Sequence, residues 1–266
     1  MESNLMRTKN HDGKGRAALV GALVVSALAS PVSADETDAK AILAAMSDYM
    51  TEQQNFAFDF DSTLDVITIE GRIISLTSSG TVAVDRPGHI RAARRGGFAD
   101  IEMGFDGETV TLIGRQANIY SQLPIEGTIR TMIETLHTDY DLVFPAANLL
   151  MEDPVSTLME GVTDVENFGV GVIGGQNCDH IVLRNSELDI QIWIAQGEMP
   201  RPCRYVLSTR DVALEPRYTV QINNWRNTVD PDELAIAIPE GATKLDSDAL
   251  RELTKDFPDN FSVGAE

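Results

Sequence analysis

Between residues 56 and 66 the chain alternates without a break. Phe56, Phe58, Phe60, Ser62, Leu64 and Val66 fall on one side, and Ala57, Asp59, Asp61, Thr63 and Asp65 on the other. A period of two is the signature of an extended strand, because successive side chains leave the backbone in opposite directions. The pattern therefore calls for a long strand with one buried face and one wet face. It recurs directly, with Ile74, Leu76, Val82 and Val84 opposed to Ser75, Thr77, Ser79 and Thr81, and Gly80 marking a bend or bulge. His89–Arg95 reads as a third strand. Ala99, Ile101, Met103 and Phe105 form a fourth, and the Asp106-Gly107 hairpin signal leads into Val110 and Leu112. Ile119–Leu123 follows. After residue 160, strand-like runs resume near Val162 and at 179–184, 189–196, 203–210, 217–225 and 234–238. Short turns between neighbours imply an antiparallel meander. About ten strands, each with one apolar face, must curl to hide that face from water.

Two stretches break the alternation. Thr37 is placed to cap a helix from Asp38, whose stripe would be Ile42, Met46, Tyr49 and Met50. Residues 126–160 carry helical spacing at Ile129, Met132, Ile133 and Leu136. A run from Leu142 through Leu149, Leu150, Met151, Val155 and Leu158 follows, cut by Pro145 and Pro154. This block predicts two or three short helices inserted mid-sheet. It is the natural cover for the concave side, either enclosing an apolar cavity or completing a solid core. The expected fold is mainly β (α+β). It is a single curved antiparallel sheet, or incomplete β-barrel, of about ten strands, with an N-terminal helix and inserted helices over the concave face. One domain over 35–257 is expected, with a short helix near Asp246–Thr254 and a flexible tail at 258–266.

The first 34 residues have a different character. Arg7, Lys9, Lys14 and Arg16 precede an apolar run, Ala17–Ala29, that ends in Pro31-Val32-Ser33-Ala34. That order is the design of a secretory signal peptide, with cleavage expected after Ala34. The run is short of the roughly 20 residues that span a bilayer. No cysteine lies near the cleavage point to carry an acyl anchor. The formal net charge of −20 disfavours nucleic acid and anionic membranes as partners.

Export also bears on the two cysteines, Cys178 and Cys203, which permit one intramolecular pairing. Such a disulfide closes a loop of roughly 25 residues, worth about 3 kcal/mol in the chain-entropy model. If one strand separates the two cysteines, their backbones stand roughly 9.5 Å apart. A bridge needs Cα atoms within about 7 Å, so one cysteine must sit where a strand bends inward.

Residues with chemical potential are few. Arg86, His89, Arg91, Arg94 and Arg95 form the one basic concentration. On a strand, His89, Arg91 and Arg95 share a face and Arg94 takes the other. They would bind an anionic head group or lid carbonyls, or else pair with surface carboxylates. Cys178 and His180 share a face, which is too little for a metal site or a thiol–imidazole pair unless further ligands converge. Trp193 and Trp225 lie off the aliphatic parity of their strands, either as stacking residues or as packing. Asp59, Asp61 and Asp65 read as a solvated strand face rather than a calcium loop. No nucleophile elbow, phosphate loop, dinucleotide fingerprint or zinc spacing occurs. No catalytic residue, metal or cofactor is expected.

Several stretches in one order carry a resemblance: Ala45-Met46-Ser47-Asp48-Tyr49, Val84-Asp85-Arg86-Pro87-Gly88-His89-Ile90-Arg91, Phe105-Asp106-Gly107, Pro145-Ala146-Ala147-Asn148-Leu149-Leu150, Cys178-Asp179-His180, Asp189-Ile190-Gln191-Ile192-Trp193 and Pro202-Cys203-Arg204-Tyr205-Val206. Over roughly 36–245 the chain resembles a family of exported bacterial proteins of unknown function, related in fold to the LolA-type periplasmic lipoprotein carriers. The resemblance implies an unclosed barrel plugged by helices. An arginine on the Arg-Pro-Gly-x-Ile-Arg strand would hold the lid shut, and Arg91 takes the matching position. The expectation is a soluble periplasmic binding or carrier protein for a lipid, acyl chain or lipoprotein segment. Arg91, Phe56, Phe58, Phe60, Met132, Leu149 and Leu150 would line the ligand. An envelope protein-interaction or sensor module is the alternative.

Overall fold

The computed structural model describes residues 36–97, 100–140, 142, 147–151 and 153–246. The expected leader and its cleavage after Ala34, and all but the first residue of the helix and tail expected over 246–266, fall outside the described residues.

The alternation at 56–66 becomes β1 (Asn55–Ile67), paired along its whole length with β2 (Ile73–Asp85). The meander continues through β3 (His89–Gly96), β4 (Asp100–Asp106), β5 (Thr109–Gly114) and β6 (Ile119–Pro124). A second meander comprises β7 (Asp164–Ile173), β8 (Gln176–Arg184), β9 (Leu188–Ala195), β10 (Pro202–Thr209) and β11 (Arg217–Arg226). The two meet centrally, where β11 pairs antiparallel with β1. A two-residue β12 (Thr243–Lys244) adds to β6 in parallel. The sheet therefore has twelve strands rather than about ten, ordered β12-β6-β5-β4-β3-β2-β1-β11-β10-β9-β8-β7, and is strongly curved and unclosed.

This order dictates where the helices go. β6 lies next to one end of the sheet and β7 forms the other end, so the segment joining them must cross from edge to edge. It does so as α2 (Ile129–Tyr140), a 3-10 turn (Ala147–Leu150) and α3 (Pro154–Leu158). The N-terminal helix α1 (Glu36–Glu52) packs against β7 and α3. It buries Ala39, Leu43, Met46 and Met50, a stripe at helical spacing. These residues join Ile129, Met132, Leu136 and Leu158 and the apolar strand faces in one core.

The segment after β11 crosses the convex side instead. Residues 234–238, read above as a strand, form no strand. Leu234 ends the short helix α4 (Pro231–Leu234), and 235–238 continue from it in a strap that runs to β6. Gly104 makes room for it: a Cβ there would stand 2.9 Å from the Ile236 side chain.

Candidate functional site: the covered concave face

Parity along each strand assigns the faces. Phe56, Phe58, Phe60, Leu64, Val82, Val84, Ile90, Met103, Ile192, Tyr205, Val220 and Ile222 all point into the core. Of the sequence-derived ligand candidates, Phe56, Phe58 and Met132 are buried there, and Phe60 and Leu150 are partly buried. Leu149 belongs to the 3-10 turn, and its side chain lies outside the described residues.

Trp225 joins this group by way of a bulge. Asn224 adopts a left-handed φ of 49°, and the β1–β11 register slips between Ala57 and Asp59. The slip turns Trp225 onto the core side, where its ring stacks on Phe56 at 5.0 Å and Phe58 at 5.5 Å between centroids.

Arg86, in the β2–β3 turn, touches the cover. It is 8% exposed, and its guanidinium lies 5.2 Å over the Phe56 ring. Nη1 donates to the carbonyls of Met50 and Gln53 at the end of α1. Nη2 donates to the carbonyls of Leu150 at 3.1 Å and Met151 at 2.7 Å. One planar group thus ties together the sheet, the N-terminal helix and the 3-10 turn. It satisfies carbonyls at helix ends, which have no partner within the helix. A second tie joins α1 to α3. Ser47 donates to the Asp153 carboxylate, which also caps α3 through the Ser156 amide. That amide bond holds the Asp153 carboxyl below its ordinary range, against a weaker opposing effect of burial, with the Ser47 hydroxyl helping.

Arg91, expected to perform the latching role, sits on the convex face. Its Nε donates to Glu102 at 2.6 Å, and Nη1 donates to the Glu233 carbonyl of the strap. Glu102 is 2% exposed and also accepts from Arg115, so two cations flank one buried carboxylate. The group fastens the strap and lies on the face opposite Phe56, Phe58 and Phe60. Arg94 takes the opposite parity, beside Ile90 and Ala92, and points to the core side. The outward aspartates are engaged across strands: Asp61 with Ser79 and Asn223, Asp65 with Ser75, Asp59 with Asn224.

Trp193 also faces outward, in a ladder across β7–β10. Phe168 meets His180 at 5.6 Å, His180 stacks on Trp193 at 4.1 Å, and the Arg204 guanidinium lies 5.4 Å over Trp193. Burial lowers the His180 pKa from its ordinary 6.5, against an opposing hydrogen bond with Gln191. Cys178 and Cys203 are buried free thiols, gathered with Ala195 into a small separate cluster. Burial, and then the neighbouring Cys203 thiol, push Cys178 up to about 12, so little thiolate exists at neutral pH. Among the described residues no group of three His, Cys, Asp or Glu side chains is placed to hold a metal ion. No helix among them is long and apolar enough to cross a membrane.

No curated protein matches the chain. Solved structures do. An uncharacterized conserved protein from Thermus thermophilus is 12% identical, with 78% of this chain and 98% of that one covered and a TM-score of 0.47. The Mycobacterium tuberculosis lipoprotein LppX is 18% identical, covering 72% and 98%, with a TM-score of 0.45. A LolA superfamily protein from Nitrosomonas europaea is 9% identical, covering 74% and 97%, with a TM-score of 0.35. A family model described as "Predicted periplasmic protein (DUF2092)" matches residues 39–246, and the chain belongs to that family.

Proposed function

We propose that this protein is an exported, non-enzymatic carrier that holds the acyl chain of a lipid or lipoprotein against its concave face, the leader being removed after Ala34. The observation that carries this reading is the Arg86 latch. The cover is made of short pieces crossing between the sheet edges, fastened to the barrel by a few polar ties rather than by continuous β pairing. Such a cover can lift without breaking the sheet. The surface beneath it supplies aromatic rings at Phe56, Phe58 and Trp225 and an adaptable methionine at Met132.

Native mass spectrometry of protein purified from the envelope, with solvent extraction of the same sample, tests the reading. A co-purifying amphiphile is expected, and adding long-chain acyl compounds to stripped protein should raise its melting temperature. No bound amphiphile, together with no thermal response at any chain length, would overturn it.

A second reading rests on β7. This edge strand exposes Phe168, Val170 and Val172, at 57%, 61% and 65%, beside an unpaired ladder. An envelope protein that adds a strand there would make the molecule an interaction module.

A further inference from the structure

The hairpin of β1 and β2 outruns its neighbours. The two strands stay paired as far as Ile67 and Ile73, but β3 pairs with β2 only from Ser78 onward and β11 leaves β1 at Leu64. The ribbon from Asp65 to Thr77 therefore projects from one end of the sheet, with no ladder on either flank among the described residues. Its outer part is apolar on both faces. Val66 and Ile74 continue the parity of the core residue Leu64, Ile67 and Ile73 take the opposite parity, and Ile69 stands in the turn between them. Ile69 is fully exposed, and Ile73 and Ile74 are exposed as well. A neighbouring turn adds to this end. Residues 210–216 join β10 to β11 beside the point where the ribbon leaves β11, and Leu214 there is exposed with a left-handed φ of 70°. That backbone conformation is unfavourable for leucine, and an exposed leucine gains nothing from water in return.

Hydrogen bonding and charge define what covers this end. The Thr68 amide donates to the Arg72 carbonyl at 2.8 Å, the Gly71 amide to the Thr68 carbonyl at 2.8 Å, and the Arg72 amide to the Thr68 hydroxyl at 3.2 Å. The tip thus meets much of its own backbone hydrogen bonding, as a segment entering an apolar medium must. The β7 edge differs, because its open ladder calls for another strand. Charge is balanced here too. Glu70 pairs with Arg72 at 3.7 Å, and around the neighbouring turn Arg210 and Arg217 offset Asp211 and Glu215. Both segments are neutral in a chain of net charge −20, which matches a surface without net charge of its own. A protein groove covers one face of a ribbon, whereas the outer layer of a bilayer surrounds both faces and the turn. We propose that the β1–β2 tip, through Ile69, Ile73 and Ile74 with Leu214 beside it, docks the protein reversibly on a zwitterionic lipid surface, the isoleucines entering the boundary between head groups and acyl chains. This goes beyond the carrier reading and stands without it, since none of these residues belongs to the latch or to the covered site.

Flotation of envelope-purified protein with phosphatidylcholine vesicles, with and without added phosphatidylglycerol, tests it. Wild type should float with both, and no more strongly when the anionic lipid is present. Ile69→Ser combined with Ile73→Ser should weaken association by about tenfold or more, the loss expected when two apolar side chains no longer leave water. Leu214→Ser should weaken it by a smaller factor, and Val170→Ser on β7 should leave it unchanged. No flotation of wild type with either vesicle overturns the lipid surface as the partner. Flotation that requires phosphatidylglycerol overturns its zwitterionic character. Undiminished binding in the double variant, or an equal loss in Val170→Ser, overturns the assignment to this tip. The two wild-type measurements need no variant to fold, and neither depends on a ligand under the cover.

Discussion

Arg86 and Arg91 are five residues apart and act on opposite sides of the sheet. Arg91 lies within β3, where alternation sends it to the convex face and Arg94 to the concave one; both directions are legible from parity with Ile90 and Ala92. Arg86 occupies a turn, which has no parity, so its aim depends on where α1 and the 3-10 turn come to rest. A latch of this kind is invisible to periodicity. His180 shows a different residue-scale effect. It stacks on Trp193 with Phe168 tilted beside it, and burial depresses its pKa in the fold. The unfolded chain therefore binds this proton more readily than the folded one. The stabilisation is present above about pH 6.5 and is lost as the pH falls below it. Melting temperature should decline from about pH 7.5 to about pH 5.5 and decline less in His180→Gln. Parallel curves for the two proteins would count against it.

At the scale of elements, the alternating runs foretold β1 to β6 and β8 to β11 in order, because a half-wet strand writes its burial into every second residue. What escaped was set by partners distant in sequence. The strap from 235 onward is not a strand, since it lies across the convex face and joins no ladder until Thr243 reaches Ile119. Trp225 reads as off-face until the bulge at Asn224 restores it. A second bulge bears on the cysteines. Cys178 on β8 and Cys203 on β10 flank β9, a separation too wide for a bridge in a regular sheet. The β9–β10 register slips between Pro202 and Arg204, around Cys203 itself, and both thiols enter one buried cluster. Oxidation in the envelope should therefore join them, two thiols giving up two protons and two electrons to a disulfide oxidant. Intact mass of the exported protein should rise by two alkyl groups only after reduction under denaturing conditions. Reduction should cost about 3 kcal/mol of stability. Alkylation of both cysteines without prior reduction would refute the pairing.

The whole molecule is a sheet that does not close on itself, with the chain from one edge carried to the other as the cover. On the proposed carrier reading, opening would move α2, the 3-10 turn and α3 and leave the central β1–β11 pairing and the convex strap in place. On the same reading Arg86 is the residue that would set the barrier to that motion, because four carbonyls from two separate segments converge on one guanidinium. Hydrogen bonds to a charged group each contribute about 1.5–3 kcal/mol when their loss leaves partners buried. Arg86→Met keeps the apolar contact with Phe56 while removing those donors. It should speed both uptake and release of an acyl ligand by about tenfold or more, with a smaller change in affinity, since a latch acts on the path more than on the bound state. Stopped-flow exchange of a fluorescent fatty acid reads both rates, and hydrogen exchange at 147–151 should accelerate in parallel. Unchanged rates in a folded Arg86→Met protein would mean that ligand enters by another route and that Arg86 only stabilises the fold.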